Sequence, residues 1–191
     1  LVLVGLGFEV AMVPFHMWTP DVYDGVPAYV TGFMATAVKA AGFAVLIRFA
    51  WLMQPQLAFA WYPVLAALAV LTMSVGNLVA LAQNSVKRLL AWSSIAHAGY
   101  LLLGVVTLIS PATGGSARMV LGREVGESAG SALLFYLLAY CLMNLAAFGI
   151  IGSLGSRAGE ADDIERYAGL SRRRPVAAAV LAVAMLSLAG I

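Results

Sequence analysis

Residues 26–48 read VPAYVTGFMATAVKAAGFAVLIR, and between Asp24 and Arg48 the one charged side chain is Lys39. A helix over that interval rises about 36 Å at 1.5 Å per residue, enough to cross about 30 Å of hydrocarbon. The rest of the chain has the same character. Of its 191 residues, 62% are hydrophobic and 10% charged, against about 25% charged in an ordinary soluble domain, which excludes a water-soluble fold. Uncharged runs over 10–20, 25–38, 49–86, 89–117, 128–156 and 175–191 hold most of the chain. They predict an all-α polytopic membrane protein with about six transmembrane helices, near 1–18, 25–50, 61–83, 86–109, 129–153 and 174–191. Thr19-Pro20-Asp21 is expected to turn between the first two, and Gln54-Pro55 with Trp61-Tyr62-Pro63 between the second and third. Segments 110–128 and 154–174 are polar enough to lie outside the bilayer. The chain begins at Leu1 without an initiator methionine and is apolar at both ends, so it reads as a piece of a longer protein.

The charge pattern narrows the partners. Eleven bases and nine acids leave a net charge of +2, and the bases form no clustered face with interleaved aromatics, which excludes nucleic acid. The lone Cys141 cannot close an internal disulfide, and no ligand set for zinc or an iron–sulfur cluster is present. With helices alternating in direction, Lys87, Arg88, Arg157, Arg166, Arg172, Arg173 and Arg174 share one side and Arg48, Arg118 and Arg123 the other. That asymmetry predicts a cytoplasmic location for the first group.

Lys39 belongs to neither side. It lies about 22 Å from one end of its helix and about 13 Å from the other, too deep to reach either surface easily. A lysine at the bilayer centre costs about 2.5 to 3.5 kcal/mol on the mildest scale. Its site has to offer water, a partner or the neutral amine, so Lys39 reads either as a proton-exchanging group or as one that pairs with an acid to fix helix packing. Glu9 lies in an apolar segment, with His16 two helical turns on and Pro14 between them. A helix broken at Pro14, with freed carbonyls beside an acid and an imidazole, is a candidate ion site; the plain alternative is a proline kink near a helix end. Lys87, Ser94 and His97 form a polar stripe on one helix. His97 either relays protons or satisfies a neighbouring group, and Lys87 with Arg88 either joins the stripe's chemistry or anchors the topology. Ser74 with Asn77, and Tyr136, Tyr140 and Asn144, add polar faces that serve as helix glue or as a wetted path.

The run Val13-Pro14-Phe15-His16-Met17-Trp18-Thr19-Pro20-Asp21-Val22-Tyr23-Asp24-Gly25-Val26-Pro27-Ala28, followed by Ala35-Thr36-Ala37-Val38-Lys39, resembles the antiporter-like membrane subunits of respiratory complex I, the subunit N family of NADH-quinone oxidoreductase in particular. Gly76-Asn77-Leu78, Asn84 to Leu90 with Ser93-Ser94-Ile95-Ala96-His97-Ala98-Gly99-Tyr100, Tyr167-Ala168-Gly169-Leu170 with Arg174-Pro175, and Ser187-Leu188-Ala189-Gly190-Ile191 match in the same order.

The resemblance implies part of a roughly fourteen-helix antiporter-like fold of two inverted five-helix repeats with broken helices. Residues 1–52 would then end the first repeat as its seventh and eighth helices, and 61–191 would supply the ninth to twelfth. It implies a mid-membrane line of ionisable residues that moves protons, driven by quinone reduction elsewhere. Lys39 matches the lysine of the eighth helix and His16 the motif histidine, whereas Glu9 stands where the family usually has a lysine. The expected proton-translocation residues are thus Glu9, Lys39, His16, His97 and Lys87, with Pro14 at the broken helix. No cofactor is expected in this chain, since NADH, FMN, iron–sulfur clusters and quinone belong to other subunits. The expected partners are other membrane subunits and the lipid bilayer, in a bacterial plasma membrane. A subunit of a related sodium/proton antiporter and a structural membrane subunit that no longer transports are the competing readings.

Overall fold

A computed structural model describes residues 1–52, 58–109, 121–155 and 163–190. Its helices are α1 (Val2–Glu9), α2 (Trp18–Gly25), α3 (Ala28–Phe33), α4 (Lys39–Leu52), α5 (Ala58–Ala80), α6 (Val86–Leu108), α7 (Leu121–Leu154), α8 (Leu170–Arg173) and α9 (Pro175–Leu188). A π-helical turn, Met34–Val38, joins α3 to α4, and a short 3-10 helix, Ile164–Tyr167, precedes α8. Among the described residues four spans are long and apolar enough to cross a membrane: Ala28–Ala50, Ala60–Ala80, Val86–Leu108 and Ala129–Leu154. The 34 residues of α7 extend about 51 Å, so its first turns project past the hydrocarbon. Residues 121–128, expected as a polar loop, are therefore helical, while 110–120 lie outside the described residues.

Three expected boundaries are corrected. The first helix does not run from 1 to 18: α1 stops at Glu9 and the chain turns irregularly before α2 starts at Trp18. Glu9 and His16 are consequently not two turns apart on one helix face. Thr19-Pro20-Asp21 is no turn but the first turn of α2, where a proline gives up an N–H that has no helical partner. Pro63 lies inside α5 instead of ahead of it, because a proline φ is helical and a lipid-facing chain has no water with which to satisfy an interrupted backbone.

The interrupted stretch between α1 and α2 is fastened by named bonds. Ala11 adopts the left-handed region, φ 59°, where a Cβ is disfavoured, and this ends the helix before Pro14 is reached. Met12 N–H donates to Gly7 O at 2.8 Å, and the Trp18 indole donates to Phe8 O at 3.0 Å while its ring stacks on Phe8. Val13 N–H donates to the Thr72 hydroxyl of α5 at 3.1 Å. Irregular backbone at membrane depth is tolerated only when protein supplies such partners.

Helix α6 is the centre of the assembly, with 67% of its span buried against 22% for α5. It packs against α2, α4, α5 and α7. Its partner α5 approaches at backbone range: a methyl added to Gly76 would stand 2.6 Å from Ala96 N, and one added to Gly99 2.8 Å from Met73 N. Small residues at such crossings replace the hydrophobic drive that lipid cannot supply. One end of the bundle gathers α2, the start of α6 and the segment before α9. There Arg88 pairs with Asp24 at 2.8 Å and Asp21 at 3.2 Å, the Ser85 hydroxyl donates to Asp24 at 3.0 Å, and Ile164 N–H donates to Asn84 O. Among the described residues, the parts of the loops 19–24, 84–88 and 163–164 that the charge pattern assigned to one side share one end.

Candidate functional site

Two buried ionisable residues occupy the middle of their spans. Lys39 stands midway between Ala28 and Ala50, and His97 midway between Val86 and Leu108, each eleven residues from both ends. The π-helical turn immediately before Lys39 inserts an extra residue into the helical phase, and α4 thereby presents Lys39 to α6. Lys39 is 3% exposed. Its Nζ donates to Ser94 O at 2.7 Å and is hydrogen-bonded to Ser94 Oγ, and among the described residues it makes no ion pair.

The Tyr140 ring lies close to both groups. Lys39 Nζ is 5.9 Å from its centroid, within cation–π range, and the His97 ring centroid is 5.1 Å away. His97 Nε2 meets Leu188 O at 3.0 Å; a carbonyl only accepts, so Nε2 carries a proton. His97 Nδ1 faces the Tyr136 hydroxyl at 2.5 Å. That hydroxyl donates to a neutral imidazole and accepts from an imidazolium, so the contact survives gain or loss of a proton. Tyr100 stands edge-on to His97 at 5.6 Å and takes a hydrogen bond from Asn77 at 2.9 Å.

The remaining expected residues lie apart from this pair. Lys87 is buried, 3% exposed, and donates to Val26 O at 3.2 Å and Asp24 O at 3.5 Å. A cation on the last carbonyls of α2 complements the helix dipole. Glu9, at the end of α1, is exposed; among the described residues its carboxylate makes no hydrogen bond or ion pair. Its stem lies along α4, 3.2 Å from where a Gly42 methyl would be, one turn beyond Lys39. His16 is half-buried in the interrupted segment, edge-on to Trp92 at 5.4 Å, and Pro14 is exposed beside it.

Sequence reasoning named Ser94 only as a member of a stripe, not as the partner of Lys39. It passed over Tyr23 of α2, which is 1% exposed and stands edge-on to Phe148 of α7 at 6.2 Å. The spacing of Ser94 three residues before His97 was the available signal for the first. For Tyr23 there was none, because the ring it packs against belongs to a helix distant in sequence.

The chain is matched over residues 1–191 by the family described as NADH:quinone oxidoreductase/Mrp antiporter, TM. NADH-quinone oxidoreductase subunit N 2 of Roseiflexus castenholzii is 48% identical over 100% of this chain and 36% of its own length. Subunit N of Heliobacterium modesticaldum is 44% identical over 100% and 37%. A chain of respiratory complex I from Thermus thermophilus superposes with a TM-score of 0.76 at 43% identity, covering 100% of this chain and 37% of its own. A chain of the Mrp complex from Dietzia gives 0.78 at 25%, covering 100% and 32%. This chain thus spans about a third of the length of these relatives. It is a multi-pass membrane protein belonging to the NADH:quinone oxidoreductase/Mrp antiporter transmembrane family.

Proposed function

We propose that this chain is the central part of a proton-translocating membrane subunit of NADH:quinone oxidoreductase in a bacterial plasma membrane. In this reading residues 1–52 close one five-helix repeat and 61–191 open the next. NADH, FMN, iron–sulfur clusters and quinone act on other subunits. The observation that carries the reading is the pairing of Lys39 with Ser94. A lysine retained only to fix packing is expected to sit against a carboxylate, whereas Ser94 offers neutral oxygens. The ammonium donates to them, and the neutral amine accepts from the serine hydroxyl instead, so the contact holds in both protonation states. Lys39 and His97, both close to the Tyr140 ring, then exchange protons at mid-membrane. Glu9 supplies protons along α1 and α4, His16 serves the interrupted segment at Pro14, and Lys87 fastens α2.

The similarity to the Mrp complex supports sodium/proton exchange as the second reading. Everted vesicles carrying the full-length subunit in its complex separate the two. With potassium replacing sodium, proton uptake during NADH:quinone reduction should be unchanged; uptake that requires sodium favours the antiporter. Unaltered uptake in a Lys39→Met complex would leave only a structural role.

A further inference from the structure

His97 is held at both ring nitrogens, by groups of different kinds. Nε2 donates to Leu188 O at 3.0 Å. Leu188 is the last residue of α9, which ends as Gly190 turns left-handed at φ 87°. A terminal carbonyl has no N–H of its own helix to accept from, and at membrane depth it has no bulk water either, so the Nε2 proton is committed to it. Nδ1 meets the Tyr136 hydroxyl of α7 at 2.5 Å, and among the described residues nothing else hydrogen-bonds that nitrogen. Two further tyrosines approach the imidazole ring to ring and bond neither nitrogen: Tyr100 edge-on at 5.6 Å, its hydroxyl taking a bond from Asn77, and Tyr140 at 5.1 Å. His97 and Tyr140 lie in the packed interior, 5% and 1% exposed, whereas Tyr136 is half-buried and joins that interior to the outer face of the described bundle.

We propose that Tyr136 is the single gate of His97: every proton this histidine gains or loses crosses the Tyr136 hydroxyl. An unconstrained imidazole can take a proton at one nitrogen and release one at the other. With Nε2–H kept on Leu188 O, only Nδ1 exchanges. In release, the Nδ1–H bond of the imidazolium breaks as its proton goes to the Tyr136 oxygen, and the tyrosine's own O–H proton leaves for a water on its outer side. The tyrosine ends with one proton, the imidazole ends neutral with Nε2–H intact, and uptake runs the same steps backwards. This inference rests on the proton-translocating reading and adds one residue to it.

The test uses the full-length subunit in its assembled complex, in everted vesicles, with proton uptake expressed per assembled subunit. Tyr136→Phe keeps the ring beside His97, their centroids 5.9 Å apart, and removes the hydroxyl. Uptake should fall about a hundredfold, the lower end of what a positioned proton-transfer group contributes. Tyr136→Gln supplies an amide that hydrogen-bonds an imidazole but passes no proton, and should lose uptake as well. A tyrosine that merely holds His97 in place gives a different pattern, with uptake lost in the Phe variant and kept in the Gln variant. Should Tyr136→Phe fail to assemble, Tyr136→Gln still decides. Parental uptake in either variant, in membranes where Lys39→Met has lost it, overturns the inference and leaves the function standing. Parental uptake in Lys39→Met overturns the function itself.

Discussion

Ser94 holds the Lys39 ammonium with two oxygens of one residue, its carbonyl at 2.7 Å and its hydroxyl. The contact joins α4 to α6 at the centre of both spans. A carbonyl at i of a helix is normally committed to the N–H at i+4, so a lysine that shares it lies close against the α6 backbone. Only the hydroxyl can reverse its role when the amine loses its proton, so the two oxygens are separable by mutation.

Ser94→Ala removes the reversible half and leaves the carbonyl. Loss of one hydrogen bond to a charged group removes about 1.5 to 3 kcal/mol from the hold on the ammonium. Proton uptake should fall, though less than in Lys39→Met, with normal amounts of subunit in the membrane. Uptake as low as in Lys39→Met would assign the whole contact to the hydroxyl.

Gly76→Ala tests the packing that sets α6 in place. The new methyl would lie 2.6 Å from Ala96 N and 2.9 Å from its Cα, and overpacking of this kind costs about 1 to 3 kcal/mol. Subunit content in membranes should drop. Gly149→Ala on α7 meets nothing within 4 Å and should leave content unchanged, which makes it the matched control.

The gathering of Asp21, Asp24, Ser85 and Arg88 at one end, with Asp163 bridged to Ser85 through the backbone, predicts the topology. Cysteines placed at Asp21 and Glu165 should react with an impermeant reagent from the cytoplasmic face, as the basic-residue bias requires. One placed at Leu52, at the far end of α4, should react from the opposite face. Labelling of all three from one side contradicts the crossing of Ala28–Ala50.

Long apolar runs made the crossing helices readable in the sequence, and the cost of a mid-bilayer charge made Lys39 and His97 stand out. What stayed hidden depends on contacts between distant residues. The π-helical turn over Met34–Val38 has no sequence signature, yet it sets the phase of Lys39. The interruption was expected at Pro14, the visible breaker, but begins where Ala11 turns left-handed without a glycine. Glu9 was expected within an apolar helix and is exposed at the end of α1. The His97 partner Leu188 O lies 91 residues on, beyond any periodicity argument.

The central claim, that Lys39 gains and loses protons, is tested most directly by comparing Lys39→Met with Lys39→Arg in everted vesicles. Proton uptake and quinone reduction are followed together. An arginine keeps the charge and the donors but stays protonated under all relevant conditions. The account predicts normal subunit content in both variants and loss of proton uptake in both. Parental uptake in Lys39→Arg would contradict it, because a permanent cation would then suffice and Lys39 would be a fixed charge that never releases its proton.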